Sequence, residues 1–271
     1  MTHRSSLPAL RTAPRGVPGG IDLAARYAAE LAQLGPYFAV SIHPPGQPLP
    51  ASWRPLSTLL DSPDDLQQRI AEVRAALAAD RPPDAVEFRV AASVTHLGVA
   101  ARLISPVLGT AILLGRVPRT DPAEVHWQSV LGGPLPLSLP APALTGYGGQ
   151  PGAGQLASEL RQSLLNGPVR TLTRVTAAMS VSPMVLQGNI ASAVYAAASM
   201  IATARPGLAT RAATIRNALL NAPELAGTWT STPAGFRRRS CCLIYRAAPA
   251  APSAVCGDCI LSPASPPRPP G

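Results

Sequence analysis

The residues of this chain that could carry chemistry are its cysteines, which are few and lie close together. All four fall between positions 241 and 259 of the 271 residues, as Cys241, Cys242, Cys256 and Cys259. In a cytoplasmic protein, clustered thiols more often bind a metal or do redox work than form disulfides. Four thiolates complete one tetrahedral Zn²⁺ site, or the two irons of one [2Fe–2S] cluster. The sequence therefore predicts that the four act together at one metal centre.

The spacing of the cysteines does not by itself decide which metal centre they would bind. Cys256 and Cys259 form a C-x-x-C knuckle, in which Gly257 allows the tight turn that brings two thiolates to one metal. Cys241 and Cys242 are adjacent, and neighbouring side chains of a regular strand point to opposite faces. Both can therefore be ligands only on an irregular backbone. Zinc and iron–sulfur chemistry stay open on these grounds, beside a redox-active C-x-x-C pair or four incidental thiols.

The segments around the cysteines resemble a known family. The run RRRSCCLIYR followed by CGDCIL is similar to the signature of the FhuF-like ferric-siderophore reductases, and residues 91–114, 126–140 and 181–194 are similar too. The resemblance covers most of the chain between Ala85 and Leu261. Thirteen residues separate Cys242 from Cys256, a few more than in the family pattern. Because the surplus is rich in Ala and Pro, we expect a lengthened surface loop there.

The resemblance implies a specific cofactor and reaction. Members of this family carry a [2Fe–2S] cluster on a C-C…C-x-x-C motif, which makes Cys241, Cys242, Cys256 and Cys259 its ligands, with no catalytic residue beyond the cluster. The implied activity is the cytoplasmic one-electron reduction of siderophore-bound Fe³⁺ to Fe²⁺, which the same oxygen donors hold far more weakly. The implied partners are the ferric siderophore and an electron donor, either a ferredoxin or an NAD(P)H-dependent flavoprotein. Peripheral association with the cytoplasmic membrane is compatible with this role, and nucleic acid is not an expected partner.

Four arginines flank the ligands, at Arg237, Arg238, Arg239 and Arg246. Positive charge beside a cluster favours its reduced, more negative state and raises its potential. The same side chains could dock an anionic ferric chelate or an acidic electron donor. A solvated basic run explains them equally well. We therefore treat the four as candidates for substrate or donor docking.

The distribution of charge supports an anionic partner without identifying one. Residues 1–159 hold 12 Arg and 12 acidic residues, whereas residues 160–271 hold 11 Arg and 2 acidic residues, so the whole net charge of +9 lies in the second part. The first 20 residues lack the apolar core of a signal peptide. The uncharged stretch at 175–204 is broken by polar residues, and its purely apolar part is too short to span a membrane. These observations predict a cytoplasmic protein with a buried core helix.

Other function classes remain open. A zinc-stabilised binding module would use the same thiols but would be colourless. An iron–sulfur regulatory protein that binds DNA would explain the arginines, although these are spread over several helices and no helix-turn-helix stands out. A fragment of a siderophore synthetase would share the helical character, but the chain lacks room for the ATP-binding part and such an enzyme needs no cysteines. His96 and His126 are not required as ligands, because four cysteines close a cluster, and their roles stay unassigned.

The elements that must position the cysteines follow from apolar periodicity and from Pro and Gly punctuation. The prediction is an α+β fold, predominantly helical, with a few strands and a hairpin in the N-terminal half and a helical C-terminal half that ends in the cluster loop. Pro106 and Gly109 are expected to split or kink the apolar segment 86–114. Helices are predicted at 21–34, 63–79, 155–166, 169–179, 184–204 and 208–222, a strand at 37–43, and a hairpin at 125–139. The predicted regions are a flexible N-terminus at 1–19, an α+β region at 20–150, a helical region at 151–261 and a disordered tail at 262–271. The helical region contains the cysteine motif at 237–261. The Gly-rich run 145–154 marks the boundary between the two halves.

Overall fold

The computed structural model describes residues 19–141, 151–233, 235–247 and 255–261. The predictions of a flexible N-terminus at 1–19 and a disordered tail at 262–271 fall almost entirely outside these ranges, as does most of the Gly-rich run at 145–154. Within them, the prediction of a predominantly helical α+β fold is confirmed. The helices are α1 Gly19–Ala32, α2 Ser57–Asp61, α3 Pro63–Ala78, α4 Phe88–Leu114, α5 Ala153–Leu160, α6 Arg170–Ala177, α7 Pro183–Ala204 and α8 Ala209–Leu220. The segment Arg161–Val169 joins α5 to α6 and is kinked at Gly167, whose backbone angles are not helical. Short 3₁₀ turns form at Pro83–Ala85, Pro206–Leu208 and Ile244–Ala247.

The strands form a small mixed sheet and a separate hairpin. They are β1 Ser41–His43, β2 Arg54–Pro55, β3 His126–Trp127, β4 Leu137–Pro140, β5 Trp229–Thr232 and β6 Gly235–Arg238. The first sheet has the order β1-β4-β3-β2, with β1 parallel to β4. The predicted hairpin at 125–139 is present as the antiparallel pair β3–β4, in which Trp127 lies opposite Leu137. Its strands are shorter than expected and its connection is longer.

Pro106 and Gly109 do not split the segment 86–114 into two helices, because α4 runs unbroken through both; the alternative of a kinked helix stays a prediction. Pro106 has no N–H to donate to the carbonyl of Arg102, so α4 continues there without one of its backbone hydrogen bonds. Gly109 serves close packing instead of a break. A Cβ at this position would lie 3.0 Å from side-chain atoms of both Leu31 and Phe38, so the end of α1 and the loop after it approach α4 closely there.

Helices α4 and α7 pack along each other and form the centre of the fold. By length and composition both are apolar enough to cross a membrane, but 72% of the most apolar window of α4 and 56% of that of α7 are buried inside the protein. Core helices of water-soluble proteins have the same character, so the fold is compatible with a soluble protein. The largest cluster of buried apolar side chains draws on both halves of the chain, including Leu103 of α4, Leu156 of α5 and Ile215 of α8.

The hairpin β5–β6 is a feature that the sequence analysis missed, since it anticipated only helices between residue 151 and the cysteine motif. Its strands pair in register from Trp229 opposite Arg238 to Thr232 opposite Gly235. Phe236 stacks on Tyr195 of α7 with ring centroids 4.4 Å apart, which fixes the hairpin against the central helix pair. Because β6 ends three residues before Cys241, this hairpin sets the position of the first two cysteines.

Candidate metal centre

The cysteines lie on irregular backbone in two loops. The first cysteine loop, residues 239–243, follows β6, and Leu243 has a φ of +69°, a left-handed conformation that bends the chain directly after Cys242. The irregular backbone that two adjacent ligands require is therefore present. The second cysteine loop, residues 255–261, contains a turn in which the N–H of Cys259 donates to the carbonyl of Cys256 at 3.0 Å.

The four sulfurs form two close pairs, each made of one cysteine from each loop. The Sγ atoms of Cys241 and Cys259 are 4.0 Å apart, and those of Cys242 and Cys256 are 3.5 Å apart. Two thiolates on one tetrahedral metal ion, with bonds of about 2.3 Å, lie about 3.8 Å from each other. Each pair therefore has the spacing of two ligands on one ion. None of the four is in a disulfide.

The division of the sulfurs into two pairs is compatible with a binuclear centre. Among the described residues, no group of three or more His, Cys, Asp or Glu side chains is arranged to hold one metal ion. A lone zinc ion needs four ligands around one point, whereas each iron of a [2Fe–2S] cluster takes two thiolates. The two sulfur pairs could therefore provide the ligands of such a cluster. The long connection between Cys242 and Cys256 lies mostly outside the described residues, but its two ends bring these sulfurs together.

Arg238 is the central polar contact of the site. Its side chain is buried, its Nη2 donates to the Cys256 Sγ and lies 3.1 Å from Asp258 Oδ1, and its Nη1 donates to Asn189 Oδ1 at 2.9 Å. Burial alone would lower the pKa of Arg238, but the charge of Asp258 and those of Cys242 and Cys256 outweigh it and raise that pKa. The guanidinium is therefore charged and directed at the sulfurs.

The remaining donors to sulfur come from the main chain. The N–H of Leu243 donates to Cys241 Sγ at 3.3 Å, and that of Leu261 donates to Cys259 Sγ at 3.4 Å. Hydrogen bonds of this kind stabilise negative charge on sulfur and belong to the factors that set the potential of iron–sulfur centres. Together with Arg238, they place hydrogen-bond donors at both sulfur pairs.

The local environment separates the thiols by their proton affinity. Hydrogen bonding from Cys256, the N–H of Ile244 and the charge of Arg238 lower the pKa of Cys242 to about 5 against the effect of burial. The pKa of Cys256 is raised, because its proton is shared with Cys242 and because it is buried. Burial, with the neighbouring thiols, raises the pKa of Cys241 to about 11. Of these three thiols, Cys242 therefore has the environment that most favours the thiolate form.

A buried polar network fixes both cysteine loops to α4 and α7. Ser93 Oγ donates to the carbonyl of Cys242 at 2.8 Å, and Asn189 Nδ2 donates to the carbonyl of Ser93 at 3.1 Å. Since Asn189 also accepts from Arg238, a continuous path of hydrogen bonds joins the first loop to the second through the centre of the fold. Asn189 therefore bridges α7, α4 and β6.

Gly188 allows the first cysteine loop to approach α7. A Cβ at this position would clash with Ser240 Oγ, so any larger residue would force the hydroxyl or the loop to move. The Ser240 hydroxyl donates to the carbonyl of Met184 in the first turn of α7 at 2.9 Å. The break of apolar character at Gln187-Gly188-Asn189 therefore marks the seat of the cysteine loop on the helix.

The four flanking arginines do not act as one group. Arg238 is buried and held by Asp258 and Asn189, so its side chain faces the sulfurs and not solvent. Arg239 and Arg246 are exposed, and Arg237 is partly exposed. Arg246 forms an ion pair with Glu87 at 2.7 Å, which joins the turn after Cys242 to the start of α4.

The two candidate histidines lie apart from the sulfurs. His96 is fully buried on α4, with Nε2 3.1 Å from Thr173 Oγ1, and burial lowers its pKa to about 3. His126 is on β3, with Nδ1 3.0 Å from the carbonyl of Glu124 and its ring against His43. Neither is a ligand of the cysteine site.

Ser93 and Asp258 are site residues that the sequence analysis missed. The signal for Asp258 was available, because residues 160–271 contain only two acidic residues, Glu224 and Asp258. Each is paired with an arginine, Glu224 with Arg161 and Asp258 with Arg238. No pattern in the sequence identified Ser93, which lies in an apolar stretch.

A cleft of about 390 Å³ opens on the same part of α7 that seats the cysteine loop. Gln187 lines it and directly precedes Gly188, the residue in contact with Ser240. Its polar lining also includes Asn166, Arg170, Thr173 and Glu224.

Comparisons of the chain with family models, with curated proteins and with solved structures gave no match.

Proposed function

We propose that this protein is a cytoplasmic ferric-siderophore reductase that binds a [2Fe–2S] cluster through Cys241, Cys242, Cys256 and Cys259. The observation that carries the proposal is the division of the four sulfurs into two pairs, 4.0 Å and 3.5 Å apart. The resemblance of the cysteine segments to the FhuF-like reductases supports the same assignment. When bound, such a cluster supplies electrons one at a time, which matches the one electron that turns Fe³⁺ into Fe²⁺.

The residues of the chain prepare the site for a centre that gains negative charge. The buried guanidinium of Arg238 and the N–H groups of Leu243 and Leu261 stabilise charge on the sulfurs. Cys242 and Cys259 are almost fully buried, which limits the access of water to their sulfurs. Cys241 and Cys256 are partly exposed, so one side of the site is open to electron exchange with molecules in solution.

The overall reaction balances with an external donor. A reduced ferredoxin or flavoprotein loses one electron, and the chelated Fe³⁺ gains it and becomes Fe²⁺. The siderophore itself is unchanged, and its hard oxygen donors release the larger, less charged ion. No proton transfer is needed at the iron.

The decisive experiment is the anaerobic purification of the whole chain, followed by optical and EPR spectra before and after addition of dithionite. We expect a red-brown protein with two irons and two sulfides per chain, visible bands that bleach on reduction, and release of Fe²⁺ from a ferric siderophore to a ferrous-specific chelator. Cys256→Ser should lose the colour. A colourless protein with bound zinc would favour the zinc-stabilised module, and steeply salt-dependent DNA binding would favour the regulatory protein.

A further inference from the structure

An unusual amount of apolar surface surrounds the cysteine loops. The described residues include eight large apolar side chains that are at least 39% exposed, and four of these lie beside the cysteines. These four are Met184, Tyr245, Ile260 and Leu261. Single exposed apolar residues are common, but a concentration of them at one place marks an interaction site.

Each of the four is tied to a cysteine loop. Ile260 and Leu261 directly follow Cys259, and the N–H of Leu261 binds its sulfur. Tyr245 is three residues after Cys242, in the 3₁₀ turn Ile244–Ala247. The carbonyl of Met184 accepts the Ser240 hydroxyl at 2.9 Å, directly before Cys241. A molecule that covered these side chains would therefore also cover the cysteine loops.

The charge around this apolar surface is positive. Arg237 and Arg239 lie on the approach to Cys241, and Arg246 follows Tyr245. The second part of the chain has only two acidic residues, and both are already paired with arginines. Glu87, directly before α4, pairs with both Arg246 and Arg89. Exposed apolar side chains and arginines thus occur together in the segments that carry or seat the cysteines.

We propose that this surface, made of Met184, Tyr245, Ile260 and Leu261 with the rim of Arg237, Arg239 and Arg246, docks a small acidic protein that carries one electron. We refer to it as the cysteine face. The inference rests on the proposed function and names the partner of the same site.

In the complex, the reduced carrier gives up one electron and the metal centre of this chain gains it. The apolar centre excludes water at the point of contact, and the arginines steer the acidic carrier and speed its encounter. Complexes of this kind are small and short-lived, which suits a surface of a few exposed side chains.

The test compares variants of the cysteine face with matched variants elsewhere. Met184→Ser with Ile260→Ser removes apolar contacts from the cysteine face. Val130→Ser with Leu131→Ser is the control, because Val130 (47% exposed) and Leu131 (44%) are as exposed as Met184 (47%) and Ile260 (43%). Arg237→Glu with Arg239→Glu reverses two charges of the rim, and Arg26→Glu with Arg119→Glu is the control, with the same change of net charge at two exposed arginines of the first half of the chain. The probe is a plant-type [2Fe–2S] ferredoxin, measured both for binding at low salt and as a reductant in stopped flow.

Both face variants should bind the ferredoxin about tenfold more weakly and accept its electrons about tenfold more slowly, relative to their reduction by dithionite. The control variants should behave as the unaltered protein, and added salt should slow the unaltered protein more than the charge-reversed one. Equal binding and equal rates in all variants would overturn the inference while leaving the reductase function intact. If the face variants kept ferredoxin binding but lost binding to anionic lipid vesicles, the face would be a membrane-binding surface. If they kept ferredoxin binding but lost only the reduction of the ferric chelate, the face would bind the chelate. Either result would also overturn the inference.

The binding measurement separates this inference from the proposed function. If the purified chain holds no iron or sulfide, the reductase function fails, yet ferredoxin binding still reports on the face. If the chain holds the cluster and reduces ferric chelates with dithionite but the face variants bind ferredoxin normally, only the docking inference fails.

Discussion

The side chain and the main chain of Arg238 hold the second cysteine loop together, and Asp258 is the partner of both. The guanidinium lies 3.1 Å from Asp258 Oδ1, and the N–H of Arg238 donates to the Asp258 carbonyl at 3.1 Å. Because Arg238 is the last residue of β6, the strand that leads into the first cysteine loop also binds the second cysteine loop. This relationship brings together sulfurs that are up to 18 positions apart in the chain.

Replacement of Arg238 by Gln should lower the reduction potential of the centre. The change removes a buried positive charge that donates to Cys256, so the reduced state loses stabilisation. We expect a decrease of about 60 mV, which corresponds to a tenfold change for a one-electron couple. Redox titration followed by EPR measures it, and Arg238→Lys should recover part of the loss because the charge is kept. Arg239→Gln is the matched control on the exposed neighbour, and an equal shift in both variants would show that only net charge matters.

Replacement of Asn189 by Leu should destabilise the fold at the seat of the cysteine loops. The amide bridges Ser93 and Arg238, and its loss leaves a buried guanidinium N–H without an acceptor. A buried group that loses a partner in this way costs about 1–3 kcal/mol of unfolding free energy, with charged groups at the upper end. Denaturant unfolding measures the difference. Gln187→Leu, two positions away and partly exposed, should change stability by less than about 0.5 kcal/mol; equal costs at both positions would contradict the bridging role.

Some of these features could be predicted from the sequence and others could not. The apolar periodicity located most helices within a few residues. One example is the helix predicted at 63–79, which is α3, Pro63–Ala78, with the Ser62 hydroxyl accepting from the N–H of Asp65 at its start. Local rules failed at Gly109 and Pro106, where the packing of α1 on α4 outweighed the tendency of both residues to interrupt a helix. They also failed at the hairpin β5–β6, whose strands have four residues each and whose stability comes from stacking on Tyr195.

The candidate site shows the same division between local and distant information. The four cysteines were evident because their number and spacing are local properties of the chain. The pairing of Cys241 with Cys259 and of Cys242 with Cys256 depends on how two loops meet, and no spacing rule specifies it. The sequence also did not indicate that Arg238 alone of the four arginines is buried. Its burial depends on the direction in which the side chains of β6 point and on the position of Asn189 on α7.

Replacement of Gly188 by Ala should displace the first cysteine loop. The new methyl group would lie 2.3 Å from Ser240 Oγ, so either the hydroxyl or the loop must move. We expect the iron content per chain to fall at least about twofold and the unfolding free energy to fall by about 1–3 kcal/mol. In the double variant with Ser240→Ala the clashing oxygen is gone, so the iron content should recover. Gly98→Ala is the control within α4, where a Cβ meets nothing within 4 Å and helix propensity favours Ala. A double variant as poor in iron as the single one would contradict the steric explanation.

His96 should make the stability of the protein depend on pH in mildly acidic solution. Its pKa is lowered from 6.5 to about 3 by burial, so below pH 6.5 the unfolded chain binds a proton that the folded chain does not. The stability linked to this residue is therefore fully present above pH 6.5 and is lost as the pH falls towards 3, at about 1.4 kcal/mol per pH unit. His96→Gln can still donate to Thr173 Oγ1 but does not titrate. Urea unfolding at pH 7 and pH 5 should show that the unaltered protein loses about 2 kcal/mol more than the variant over this interval, because the interval extends 1.5 units below pH 6.5. All other titrating groups are common to the two proteins, so equal losses would mean that a proton, or water, reaches this histidine in the folded state.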